Sequence, residues 1–250
     1  MLVRLLLVST ILLTSCMTPG RQSQLPDGFV AISEVAPDIE LDIRYYTSNN
    51  FIGRPVDGYF APACILTLEA GRALAQAQQL ALNRGYSLKV YDCYRPQSAV
   101  SDFVTWGSDD QDTLQQHRFY PNLDKGQLFA EGYIAQQSGH SRGSTIDLTL
   151  VPLGSRQPAV DPNANRYDCR AAQFGRYPDN SIDMGSGYDC FDPIANTDSD
   201  LVSTTARDNR SLLRSVMVAA GFENYPLEWW HYSLVVEPYP DTYFDFPVVD

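Results

Sequence analysis

The stretch Ser138-Gly139-His140-Ser141-Arg142-Gly143-Ser144-Thr145-Ile146-Asp147-Leu148-Thr149-Leu150-Val151 decides how the rest of the chain is read. From Thr145 to Val151 the residues alternate, with Ile146, Leu148 and Leu150 on one side and Thr145, Asp147 and Thr149 on the other. This is the period of a β-strand with one apolar face. Asp147 needs a partner, because a carboxylate buried without one is costly. His140, on the Gly-flanked approach to the strand, is one candidate. A second lies far downstream in Glu228-Trp229-Trp230-His231.

Two imidazoles and a carboxylate make three protein ligands for a zinc ion and leave a fourth position for water. Glu228 could then act as general base beside that water. In a regular strand residues i and i+3 face opposite sides, so Glu228 and His231 can share a site only across a turn or bulge. The plainer reading keeps each histidine as a hydrogen-bonded core residue and the tryptophan pair as core. The third histidine, His117, sits in polar Gln115-Gln116-His117-Arg118 and reads as surface. Arg95, in Tyr91-Asp92-Cys93-Tyr94-Arg95-Pro96, falls at a strand end just before a helix start. It could stabilise an oxyanion, or simply pair with Asp92.

Around these motifs the pattern is mixed. A strand is expected within Val30 to Tyr45, a loop over Asn49 to Tyr59, and a helix from Leu66 to Leu82 stopped by Asn83-Arg84-Gly85. A strand follows over Ser87 to Tyr94, then a helix from Pro96 to about Trp106. Gly154 to Asp200 is long, polar and rich in Pro, Gly and Asp, as a functional or covalently tied loop would be. An amphipathic helix over Asn209 to Ala220 and a strand over Trp230 to Val236 complete the chain. Without βαβ regularity, the expected class is α+β, a single domain with a central antiparallel sheet flanked by helices.

Composition narrows the function. The chain has 250 residues, 44% apolar and 19% charged, enough for one well-buried domain. Its net charge is −12 and its only lysines are Lys89 and Lys125, so nucleic acid is not an expected partner. Met1–Gly20 carries Arg4, the apolar run Leu5 to Leu13, and then Thr14-Ser15-Cys16. The run is too short to span a bilayer and reads as a secretory signal. The Leu-Thr-Ser-Cys ending resembles a bacterial lipobox. The expected organisation is a lipoprotein signal peptide over 1–15, a tether over 16–27 starting at a lipidated Cys16, and a catalytic domain over 28–250, located in the periplasm or cell envelope with a lipid anchor in the membrane. Four cysteines remain, and an even number in an oxidising compartment suggests two disulfides. Of three possible pairings, Cys169–Cys190 with Cys64–Cys93 is favoured; a zinc-thiolate site is the rival, though no Cys-x-x-Cys spacing is present.

Seven segments in order make the reading specific. They are Asp42-Ile43-Arg44-Tyr45, Asn50 to Tyr59, Tyr94-Arg95-Pro96-Gln97, Ser138 to Gly143 with Asp147, Met184-Gly185-Ser186 with Tyr188 to Asp192, Glu228 to His231, and Glu237-Pro238-Tyr239-Pro240. Together they resemble the D-alanyl-D-alanine dipeptidases. This family includes the vancomycin-resistance dipeptidases, is related to the zinc D,D-carboxypeptidases, and shares a fold with the Hedgehog signalling domain. The resemblance implies one Zn²⁺ per chain on His140, Asp147 and His231, with Glu228 activating water and Arg95 holding the oxyanion. It also implies that Asp189 binds the ammonium of a small D,D-dipeptide and that Ser138 lies near its carboxylate. Gly139 stands where the resistance enzymes commonly have Ser, and the export signal points away from a cytoplasmic role. Two rival readings stay open: a D,D-carboxypeptidase acting on peptidoglycan stem peptides, and a non-catalytic zinc-containing envelope lipoprotein. The ligand set would also tolerate Co or Ni.

Overall fold

The structure is a computed structural model that describes residues 25–160 and 167–250. The expected signal peptide and Cys16 lie outside the described residues, as does the tether up to its last three positions; there Leu25 already packs against the core.

The strands are β1 (Phe29–Ala31), β2 (Glu40–Leu41), β3 (Ile65–Thr67), β4 (Tyr86–Asp92), β5 (Thr145–Pro152), β6 (Phe222–Asn224) and β7 (His231–Leu234). The helices are α1 (Ile32–Val35), α2 (Leu68–Leu82), α3 (Gln97–Gly107), α4 (Gln116–Phe119), α5 (Gln127–Ala130) and α6 (Thr204–Ala219). Five strands form one sheet in the order β2-β4-β5-β7-β6, and β1 pairs with β3 in a second, two-stranded sheet. The α+β class holds, with one departure from an all-antiparallel sheet: β2 runs parallel to β4 at the edge.

Several boundaries differ from the sequence pattern for local reasons. Val30 to Tyr45 is not one strand but β1, the turn of α1, β2 and a 3₁₀ turn over Arg44–Tyr46. Pro37 disfavours helix at Ala36, so α1 stops after a single turn. Ile65 and Leu66 belong to β3, because the Thr67 hydroxyl caps α2 by accepting from Ala70 N. Pro96 sits just outside α3 as its cap position. Helix α6 begins at Thr204, ahead of the expected Asn209, because Ser203 Oγ accepts from Ala206 N at 3.1 Å. The last strand ends at Leu234, and Val235 and Val236 leave it for solvent.

Helices α2 and α6 pack on each other and against the main sheet, so the apolar face of β5 enters a core shared with Leu74, Leu213 and Val216. The polar face of β5 is buried too. The segment 167–191 lies over it: Ser181 bonds Thr149 at 2.6 Å, Tyr188 reaches Asp147, and Asp179 meets Lys89, which pairs with Thr149 across the strands. Cys169 pairs with Cys190 within this segment, and Cys64 pairs with Cys93, joining the approach to β3 to the end of β4.

Candidate metal centre and active-site cleft

Strand register builds the centre. Asp92 on β4 stands opposite Asp147 on β5, beside a bulge, and Asp147 stands opposite His231 on β7. Directly opposite residues share a face, so the three form a row across the sheet. His140 arrives from the 3₁₀ turn Gly139–Arg142, whose first residue follows the cap Ser138. Gly143 closes that turn with φ +79°, where a Cβ would come within 2.4 Å of the Phe29 ring; glycine is needed there both for backbone and for space.

The ligand-type atoms converge. His140 Nε2 lies 3.3 Å from His231 Nδ1 and 3.3 Å from Asp147 Oδ1, and His231 Nδ1 lies 3.1 Å from the same oxygen. His140 Nδ1 is 2.7 Å from the Cys93 carbonyl; donating there leaves Nε2 with a lone pair aimed inward. Asp147 Oδ2 accepts from Tyr188 Oη at 2.9 Å, whereas the buried Oδ1 has no hydrogen bond of its own. An orphaned carboxylate oxygen facing two ring nitrogens is unfavourable unless a cation joins them. Metal bonds of about 2.0–2.2 Å in a tetrahedron put ligand atoms about 3.3–3.6 Å apart, close to the separations seen. The three residues fit a divalent ion.

Glu228 reaches the same place because the backbone turns. Glu228 N donates to Tyr225 O and His231 N to Glu228 O, and the Asn224 side chain ties down both carbonyls, Glu228 O and His231 O. Glu228 Oε2 then lies 3.4 Å from His231 Nδ1. The intervening Trp229 and Trp230 are buried, so the core reading of that pair also holds. Burial, reinforced by Asp147, raises the Glu228 pKa above the usual carboxylate value, as suits a proton acceptor. Burial also opposes ionisation of Asp147, but the imidazoles of His140 and His231 outweigh it and hold that group well below the ordinary range.

Arg95 pairs with Asp92, one of its two readings, and also reaches the cleft. Its Nε donates to Asp92 Oδ2 at 2.9 Å, and Nη2 is 2.8 Å from that oxygen and 3.7 Å from Asp147 Oδ2. Its guanidinium rests over the Tyr45 and Phe103 rings and lines a cleft of about 230 Å³ shared with His140, Asp147, Glu228 and His231. Asp189 and Ser138 line the same cleft. Asp189 is the one non-glycine residue at positive φ (55°) among the described residues, and its Oδ2 accepts from Tyr45 Oη at 3.0 Å. Burial and the charge of Asp147 push its pKa well up. Ser138 Oγ accepts from His140 N at 3.3 Å. His117 is exposed, away from this centre.

Sequence reasoning offered Asp92 only as a partner for Arg95 and left out Tyr188 as a support. Asp92 orients Arg95 and lies 3.4 Å from His140 Nδ1, while Tyr188 holds Asp147. Both stand in quoted motifs, but only register and the fold of 167–191 set Asp92 against His140 and Tyr188 against Asp147.

A mixed α+β fold that brings two imidazoles, a carboxylate, a glutamate and an arginine into one cleft is that of a metallopeptidase. Three proteins named D-alanyl-D-alanine dipeptidase are similar to this chain. That of Streptomyces coelicolor is 40% identical over 220 residues, covering 88% of this chain and 98% of the relative. That of Enterococcus faecalis is 38% identical over 224 residues, covering 90% and 100%. That of Escherichia coli K12 is 28% identical over 205 residues, covering 82% and 83%. With the family match spanning residues 26–165 and 177–249, the chain belongs to the D-Ala-D-Ala dipeptidase family of peptidases.

Proposed function

We propose that the protein is a zinc-dependent dipeptidase that hydrolyses D-alanyl-D-alanine and similar D,D-dipeptides in the cell envelope, anchored through a lipidated Cys16. The observation that carries this reading is the meeting of His140 Nε2, Asp147 Oδ1 and His231 Nδ1 within 3.3 Å of one another, with Glu228 and Arg95 at their side. The names of the relatives support the substrate. The export-type start and the four paired cysteines support the location.

His140, Asp147 and His231 would hold the ion, which when bound supplies Lewis-acid activation of water and of the scissile carbonyl. Glu228 takes the proton of the attacking water as its oxygen bonds to the carbonyl carbon. Arg95 donates to the carbonyl oxygen as charge develops there. When the carbon–nitrogen bond breaks, Glu228 returns the proton to the leaving amine. Asp189 pairs with the substrate ammonium, and Ser138 lies towards its carboxylate. The cleft is small, and a longer peptide would set an uncharged amide against the buried Asp189, leaving it unpaired. The test is incubation of the zinc-loaded protein with D-Ala-D-Ala and, separately, with a pentapeptide stem ending in D-Ala-D-Ala. Free D-Ala is expected only from the dipeptide. Release only from the pentapeptide would make the protein a D,D-carboxypeptidase, and no release from either would leave a non-catalytic zinc protein.

A further inference from the structure

The Cys64–Cys93 disulfide stands beside the metal centre, and the chain around it closes a circuit through His140. Strand β4 ends at Asp92, just past the shift in its register with β5. Cys93 follows, fully buried, and its carbonyl oxygen takes His140 Nδ1 at 2.7 Å. Its partner Cys64, also buried, directly precedes β3. The other end of β3 holds the turn that carries His140. There Thr67 N donates to Gly143 O at 2.7 Å, and Thr67 Oγ1 meets Ser144 Oγ at 2.8 Å. Gly143 N in turn donates to His140 O at 2.9 Å. The path runs from the imidazole to Cys93, across the sulfur bridge to β3, and through Thr67 back to His140.

The two sheets share no strand pairing, so the bridge fastens the end of β4 to β3 covalently. The other ties at this place are hydrogen bonds: Tyr94 N donates to Ile65 O at 3.0 Å, and Arg95 N to His140 O at 3.4 Å. On its far side β3 is anchored, since it pairs with β1 along its whole length and Cys64 O accepts from Ile32 N at 2.9 Å. The fastened stretch carries more of the site than one carbonyl. Asp92, one residue before Cys93, binds Arg95 and lies 3.4 Å from His140 Nδ1. Arg95, two residues after it, lines the cleft. A carbonyl that orients a ligating imidazole fixes the ring only as well as its own backbone is fixed.

On the reading of His140, Asp147 and His231 as metal ligands, we propose that the Cys64–Cys93 disulfide is a positioning element of the centre: it holds the Cys93 carbonyl against His140 and so sets how tightly the three residues bind a divalent ion. Without the bridge, the end of β4 is tied by hydrogen bonds alone. The carbonyl and the imidazole then sample more orientations, and metal binding has to order them at an entropic cost. The other disulfide, Cys169–Cys190, lies in the segment over the polar face of β5 and is not part of this circuit.

Zinc affinity of the full chain is the readout, measured by chelator competition on variants shown to be folded by far-UV dichroism. C64A/C93A should bind zinc about 10–100-fold more weakly than the wild type. C64V/C93A, which returns volume to the core without the bond, should show the same loss and serves if the alanine pair does not fold. L213A truncates a core residue of α6 on the apolar side of β5, away from the centre. It lowers stability and should keep wild-type zinc affinity, which separates positioning from general weakening of the fold. The proposal is overturned if a folded cysteine variant binds zinc as the wild type does, or if L213A loses as much affinity as the cysteine variants. It is also overturned if neither cysteine variant folds, since the bridge is then a requirement of the fold itself. A wild type that binds no zinc would overturn the metal reading too, and that result alone tells the two failures apart.

Discussion

At the scale of single residues, each reactive side chain depends on one neighbour that fixes its direction. His140 can present Nε2 because Cys93 O takes Nδ1. Asp147 can present Oδ1 because Tyr188 takes Oδ2. Y188F removes the hydroxyl's bond to Asp147 and its longer contact with Tyr45 Oη while keeping the ring that stacks on Tyr91 at 4.5 Å. Loss of such an outer support costs about 10–100-fold in metal affinity, and chelator competition should read a fall of that size for Y188F with unchanged far-UV dichroism. Glu228 carries a different burden. E228Q keeps the shape and the zinc but cannot accept a proton, so kcat should fall by about 10²–10⁴. Metal analysis should still find one ion per chain; a variant that kept its full rate would remove Glu228 from the mechanism.

At the scale of elements, the pairing of β4, β5 and β7 sets Asp92, Asp147 and His231 side by side, and segment 167–191 seals that face. The seal is electrostatic as well as covalent. Lys89 is fully buried on β4, and its Nζ meets Asp179 Oδ1, Gln157 Oε1 and Asn180 Oδ1. D179A would leave that ammonium short of its main counter-charge. Breaking a buried pair costs about 3–5 kcal/mol. Asp42 Oδ2, 3.3 Å from Nζ, keeps part of the compensation, so urea unfolding should show a loss near the lower figure. Burial alone would raise the Asp179 pKa, but Lys89 and Arg44 outweigh it and the net shift is downward. A carboxyl group whose folded pKa is depressed stabilises the fold above its unfolded value of about 3.9 and loses that contribution as pH falls through the folded value. The wild-type protein should therefore lose stability on acidification below about pH 4, and D179N should show a shallower loss over the same range.

At the scale of the whole molecule, the centre joins pieces far apart in the chain: His140 and His231 are 91 positions apart and meet through a shared carboxylate. An ion that binds only the folded arrangement stabilises it by about 4 kcal/mol at a thousandfold excess over its dissociation constant. For a chain of this size, a chelator should then lower the thermal midpoint by on the order of 10 °C. Scanning calorimetry with and without chelator checks this. An unchanged midpoint would mean that the three side chains gain nothing from a shared ion.

The sequence by itself determined the chemistry on offer: His140 and Asp147 around one turn and strand, Glu228 and His231 around another, and Arg95 at a strand end. Those features are local, since residue type, alternation and short spacing carry them without reference to the rest of the chain. Even the conflict between a strand and the Glu228–His231 spacing was legible, and the turn before β7 resolves it. Only the tertiary structure decided that the polar face of β5 is buried and that Asp92 and Tyr188 hold the centre in place. The reason is physical: strand register and loop closure bring distant residues into contact through many weak packing and pairing terms summed over the whole fold, and no short window of sequence contains that sum.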